Sequence, residues 1–143
     1  MTARELRLYH RLQRAAHDLK KAADRRVVEA ADLTTAQAAV LAVVMDGEPA
    51  SQRGVAEALG LNESAVTAMV GRLLTAGYLV RTRSAADQRA WELRLSPAGR
   101  EVLARIETPF AGVNRRIEEV LSKEEMQSLA DCLDRLSDAF RAD

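Results

Sequence analysis

Four arginines are concentrated in a short segment without lysine, residues 81–94: Arg81, Arg83, Arg89 and Arg94. A guanidinium group stays protonated and donates N–H bonds in a planar fork, which suits phosphate oxygens and base edges. An arginine at a hairpin tip can enter a narrow minor groove, where negative potential is concentrated. Asp87 lies in the same segment, and we expect it to fix the loop through an ion pair or an Asx-type turn. The chemistry indicated is contact with DNA.

The sequence around this segment predicts the elements that position it. Leu79 and Val80 begin a short strand, and residues 91–95 alternate as its partner, so the arginines lie on a hairpin. Upstream, Ser51 and Asn62 are N-caps of two short helices that are separated by Gly60. Helix, turn, helix and basic hairpin is the order of a winged helix-turn-helix.

The second helix of such a unit enters the major groove. Here it is predicted from Asn62 to about residue 76, with an apolar side formed mainly by Val66, Val70, Leu73 and Leu74. The opposite side then presents Ser64, Thr67, Ala68 and Arg72. Hydroxyl and guanidinium groups can contact bases or phosphates, although an ordinary amphipathic helix with a solvated face has the same pattern. We expect these four residues, with Arg83, Asp87 and Arg89 of the hairpin, to form the DNA-binding surface.

Three longer segments have apolar positions spaced alternately by three and four residues, which is typical of helices that pack along their length. They start at Leu8, Leu103 and Met126. Ser96-Pro97 begins the second segment with proline at the first helical position, and Ser122 with Glu125 forms a capping box before the third. The predicted class is mainly α (α+β).

Composition excludes several classes of protein. The net charge of zero is an average, because residues 1–31 carry +4, residues 51–94 carry +2, and the remaining segments are acidic. No apolar run is long enough to predict a membrane span, and the single Cys132 excludes an internal disulfide and suits the cytoplasm. Neither a nucleophile–base–acid set nor a cluster of metal ligands is visible, so no enzyme, metal site or cofactor is expected.

The segment from residue 61 to residue 99 resembles the MarR (multiple antibiotic resistance regulator) family of winged-helix transcriptional regulators. The matching motifs are Ser64-Ala65-Val66-Thr67, the run from Arg72 to Arg81, Asp87-Gln88-Arg89, and Leu95-Ser96-Pro97-Ala98-Gly99. The order of elements extends the resemblance over nearly the whole chain. Ala68 is a departure, because the family often has arginine there, and the first helix lacks the cysteine of the oxidant-sensing members.

The resemblance implies a homodimeric regulator that binds pseudo-palindromic double-stranded DNA, most simply a repressor. It implies one domain over residues 1–143, with a winged lobe at 33–95 and a dimerisation region at 1–32 and 96–143. Members are commonly released from DNA by small aromatic or phenolic effectors, for which His10, Arg14, His17 and Trp91 are the candidate ligand-binding residues. The alternative function is a winged-helix protein-interaction module without DNA binding, which the neutral net charge and Ala68 favour.

Overall fold

The computed structural model describes residues 3–141, and side chains from residue 7 onward. The elements, in order, are α1 (Ala3–Ala31), α2 (Thr35–Asp46), α3 (Gln52–Leu59), α4 (Glu63–Thr75), β1 (Leu79–Arg83), β2 (Trp91–Leu95), α5 (Pro97–Glu118) and α6 (Lys123–Arg141). The predicted mainly helical class with one hairpin is therefore confirmed. The chain divides into two compact units, Met1–Phe110 and Ala111–Asp143, and the division falls within α5, just after Pro109.

Short polar side chains fix where the helices begin. Thr34, Ser51 and Asn62 each accept a hydrogen bond from the third residue of the helix that follows, which satisfies one of its unpaired amides. Gly60 ends α3 with a positive φ of 63°, a conformation that glycine adopts without strain. Ser122 and Glu125 form the predicted capping box of α6. The predicted caps of α3, α4 and α6 and the predicted turn at Gly60 are confirmed.

The sheet is a small antiparallel hairpin with a third partner. β1 and β2 pair with Leu79 opposite Leu95 and Arg83 opposite Trp91. On its other edge β2 is bridged to Ala50, whose N–H donates to Leu93 O at 3.0 Å and whose carbonyl accepts from Leu93 N–H at 2.7 Å. The segment between α2 and α3 therefore fixes the base of the hairpin.

The first unit has one hydrophobic core to which every element up to α5 contributes. Its fully buried members are Val27, Val40, Leu41, Val44, Val55, Val66, Val70, Leu73, Leu93 and Val102. By contrast, the apolar positions that repeat along α1 and α6 remain exposed in the single chain, among them Leu19, Leu129, Leu133 and Phe140. Exposed apolar stripes of this kind are typical of surfaces that another protein chain covers.

Among the described residues, no single helix is both long and apolar enough to cross a membrane. Only α1 and α2 taken as a pair, bent by 73° at their junction, reach the necessary length and composition.

Asp24 joins α1 to the beginning of α2. Its carboxylate accepts from the Lys20 ammonium and from the Thr35 backbone N–H, both at 2.7 Å. Hydrogen bonds from Lys20 and from Thr35 favour the charged form and lower the pKa of Asp24 from 3.8 to about 2. Because the pKa is lower in the folded state, this interaction stabilises the fold above about pH 4, and the contribution is lost as the pH falls towards 2.

We predict that Asp24→Asn lowers the free energy of unfolding at pH 7 by about 1–2 kcal/mol, because a charge-assisted interaction is removed. The difference from the wild type should shrink as the pH falls from about 4 to about 2. Urea unfolding at several pH values measures it. The control Asp18→Asn removes an exposed carboxylate that lies 4.0 Å from Arg14, so it should change stability very little. A pH-independent Asp24→Asn effect would contradict the assignment.

Gly99 lets the first turn of α5 pack directly against the turn that joins α4 to β1. A Cβ at this position would overlap the Tyr78 carbonyl oxygen, which accepts from Ser96 N–H at 3.1 Å. We predict that Gly99→Ala destabilises the fold by about 1–3 kcal/mol, since backbone must move. The control Gly71→Ala, in α4 with open space around it, should stabilise by about 0.5–1 kcal/mol. Thermal unfolding measures both, and equal effects would contradict this account of Gly99.

Candidate DNA-binding surface and ligand cavity

α4 presents a polar face formed by the residues that the sequence assigned to DNA contact. Val66, Val70 and Leu73 are buried, whereas Ser64, Thr67, Ala68 and Arg72 are all exposed. Within the described part of the chain, the Arg72 side chain has no hydrogen-bond or ion-pair partner. A cation on an exposed helix face without a protein partner is available to a phosphate or a guanine.

The two hydroxyls on this face already use their single protons. Ser64 Oγ donates to Asn62 Oδ1 at 2.8 Å, and Thr67 Oγ1 donates to the Glu63 carbonyl at 2.8 Å. Their lone pairs therefore remain as acceptors. Such an oxygen is suited to the amino groups of adenine or cytosine in the major groove, whereas a phosphate oxygen offers it no donor.

The hairpin loop, residues 84–90, is held by its own hydrogen bonds. Ser84 N–H donates to Ala90 O at 3.0 Å, and Ser84 Oγ accepts from the backbone N–H groups of Ala86 and Asp87. Asp87 Oδ1 accepts from Arg89 N–H at 3.0 Å, which is the Asx-type turn among the alternatives considered from the sequence. The loop is thus ordered locally, with Arg89 at its exposed side.

The arginines of the hairpin differ in their partners, and Arg94 lies 4.0 Å from the Glu92 carboxylate. Arg81 and Arg83 stack on the Trp91 ring, with guanidinium carbons 4.6 and 4.0 Å from its centroid. Arg83 also donates to Gln88 O at 3.1 Å, so it holds the loop backbone. Among the described residues, the Arg89 side chain has no such partner. Arg89 is therefore the hairpin arginine best placed to bind an external anion.

One carboxylate fixes the base of the hairpin. Glu48, between α2 and α3, accepts from Leu95 N–H at 2.6 Å through Oε1 and from the Arg100 guanidinium at 2.6 Å through Oε2. Its side chain is 17% exposed. The Leu95 amide and the Arg100 cation hold the pKa of Glu48 below its ordinary value. Glu48 thus joins the α2–α3 connection, the last residue of β2 and the first turns of α5.

A cavity of about 490 Å³ lies between α2 and α5. Most of its lining is apolar or small, and the charged side chains are Arg100 and Glu107; the complete lining is Thr35, Ala38, Ala39, Ala42, Met45, Arg100, Leu103, Ala104, Ile106, Glu107 and Phe110. This volume and composition are typical of sites for small organic molecules.

The structure does not bring the four candidate effector residues to this cavity. His10 lies against Tyr9, Arg14 is 4.0 Å from Asp18, and His17 lies in a groove along α1 with Lys20, Lys21, Asp24, Arg25 and Val28. Trp91 belongs to the hairpin. Their assignment to effector binding remains a prediction. The cavity itself was missed, although the closely spaced alanines of α2 indicate a helix face that leaves space beside it.

Comparison with known proteins identifies the family. The MarR family model matches residues 31–90. The PcaV transcriptional regulator from Streptomyces coelicolor, solved with its natural ligand, is 30% identical with a TM-score of 0.78, and the match covers 92% of this chain and 90% of PcaV. The chain belongs to the MarR family. The family consists of transcriptional regulators rather than enzymes.

Two further relatives support this membership. This chain is 29% identical to the transcriptional repressor CouR, which was solved bound to a 23-mer DNA duplex. The TM-score is 0.85, and the match covers 96% of this chain and 98% of CouR. A regulatory protein for the hcr operon of Thauera aromatica is 31% identical over 97 residues, which are 68% of this chain. The match spans 58% of the length of that curated relative.

We predict that Arg83→Lys in this MarR chain loosens the hairpin loop although it keeps the charge, because lysine lacks the planar fork that stacks and donates. Amide hydrogen exchange of Asp87 and Arg89 should become about fivefold faster, as expected for the loss of about 1 kcal/mol. The matched control is Arg81→Lys, which alters only a stacking contact with Trp91 and should leave loop exchange unchanged. Equal loop exchange in the two variants would contradict the supporting role of Arg83.

Proposed function

We propose that this chain is a sequence-specific, DNA-binding transcriptional regulator of the cytoplasm. The observation that carries the proposal is the pairing state of the arginines. The side chains of Arg72 on α4 and Arg89 on the hairpin loop have no partner among the described residues. By contrast, the Arg83 side chain donates to the Gln88 carbonyl and stacks on the Trp91 ring. An exposed helix face and an ordered hairpin, each with an available cation, suit adjacent major and minor grooves.

The working form is a homodimer. Leu129 and Leu133 of α6 are 44% and 42% exposed, and Leu19 of α1 is 46% exposed. Covering these stripes with a second copy removes apolar surface from water and places two winged units in one particle. A twofold dimer binds a pseudo-palindrome whose half-sites lie about one helical turn apart. Residues 1–32 and 96–143 supply the dimerisation region, and residues 33–95 supply the winged lobe.

The relatives support DNA and a small-molecule ligand as the two partners of the regulator. CouR is bound to a DNA duplex, and PcaV holds a natural ligand. In this chain the cavity between α2 and α5 is the space available to a small aromatic or phenolic effector, which releases the regulator from DNA. Repression by occupying a promoter, relieved by the effector, follows most simply from this arrangement.

We predict that Arg89→Ala weakens binding to the duplex that flanks the protein's own gene by about tenfold to a hundredfold, the loss typical of one specific groove contact. A gel shift measures the affinity, and sedimentation verifies that the dimer is intact. The matched control is Arg141→Ala, which removes an exposed arginine of α6 that lies 3.6 Å from Asp138; it should bind like the wild type.

Unchanged binding of Arg89→Ala would contradict the role of the hairpin arginine. Absent or salt-insensitive DNA binding by the wild type would instead select the alternative function, a winged-helix module for protein interaction.

A further inference from the structure

Arg100 takes part both in the lining of the cavity and in an ion pair with Glu48. Its side chain lines the cavity between α2 and α5, and its Nη2 donates to Glu48 Oε2 at 2.6 Å. The side chain is 53% exposed, so the guanidinium can change its partner without leaving a buried cation unpaired. It is the cationic member of a lining whose other charged residue is Glu107.

Glu48 in turn holds the base of the hairpin. Besides Arg100 it has the Leu95 N–H as a partner, at the end of β2, two residues from the Ala50–Leu93 bridge. Arg100 fixes the orientation of the carboxylate on this amide. When the cation moves away, the carboxylate gains freedom to turn towards water, and the bond to Leu95 is made for a smaller fraction of the time.

We propose that Glu48 and Arg100 couple the cavity to the hairpin: a small organic monocarboxylate bound in the cavity takes Arg100 as its counter-ion and thereby weakens the hold of Glu48 on Leu95. One step of this proposal rests on the proposed function, namely that a loosened hairpin releases the protein from DNA.

The lining defines the chemistry of this ligand. Ala38, Ala42 and Phe110 provide an apolar space for a ring or a short hydrocarbon, and Arg100 provides the site for the carboxylate. Glu107 adds negative charge to the same lining, so a monoanion is favoured over a dianion. A neutral amide of the same shape fills the apolar space without competing for Arg100, and it therefore serves as the matched control ligand.

Calorimetry without DNA tests the competition, with benzoate and 4-hydroxybenzoate as probes and benzamide and 4-hydroxybenzamide as controls. In Glu48→Gln the side chain can still accept from Leu95 N–H but no longer competes for the cation. We expect this variant to bind the carboxylates about threefold to tenfold more tightly, and the amides unchanged. Glu92→Gln, which removes a β2 carboxylate 4.0 Å from Arg94, should bind like the wild type. Arg100→Gln should lose the preference for carboxylate over amide.

Amide hydrogen exchange of Leu95 tests the coupling in the unaltered protein. Saturation of the wild type with 4-hydroxybenzoate should speed this exchange about fivefold, and saturation of Glu48→Gln should not. The inference is overturned if neither carboxylate binds the wild type or Glu48→Gln, if the two proteins bind the carboxylates equally, or if Leu95 exchange is unchanged at saturation. The wild-type exchange and the Arg100→Gln titration decide the matter even if Glu48→Gln does not fold.

These measurements are independent of the DNA experiment. A chain that shows the carboxylate linkage but does not bind its flanking DNA contradicts the proposed function and leaves the coupling standing. A chain that binds this DNA but shows no linkage contradicts the coupling alone.

Discussion

The Glu48 carboxylate is the contact on which the geometry of the hairpin depends. Among the described residues, the outer edge of β2 is bridged to backbone at Ala50, and the next amide on that edge, Leu95 N–H, donates to a side-chain oxygen instead of a backbone carbonyl. The same carboxylate binds Arg100 in the first turns of α5. This side chain therefore joins the end of the hairpin to the helix that follows, and it acts beside the Ala50–Leu93 bridge and the bond from Ser96 N–H to Tyr78 O.

The hairpin shows how one residue type serves two purposes. Arg81 and Arg83 lie two residues apart on β1, on the same face of the strand, where both stack on Trp91. Arg89, in the loop, is left to interact with an external anion. Local placement therefore explains how a chain with a net charge of zero can present a surface suited to a polyanion.

Much of the fold could be predicted because its boundaries are set by local hydrogen bonds. Thr34, Ser51 and Asn62 cap their helices through amides only three residues away, and Gly60 needs only its own backbone freedom. The role of Glu48 could not be predicted in this way, since its partners lie 47 and 52 residues further along the chain. The cavity likewise depends on how α2 packs against α5, so the sequence-based effector candidates were chosen by resemblance and lie elsewhere.

The exposed apolar stripes of α1 and α6 suit contact with a second chain, and the available arginines suit contact with DNA. Together they indicate that two winged units act on one duplex. Fluorescence anisotropy of the flanking duplex, measured with purified protein over a series of salt concentrations, tests this most directly. If Arg72 and Arg89 of two chains each displace about one counterion from the duplex, the logarithm of the affinity should fall with the logarithm of salt concentration with a slope of about −3.6 or steeper. Titration should end at two chains per duplex. A salt-independent affinity, or saturation at one chain per duplex, would contradict the account.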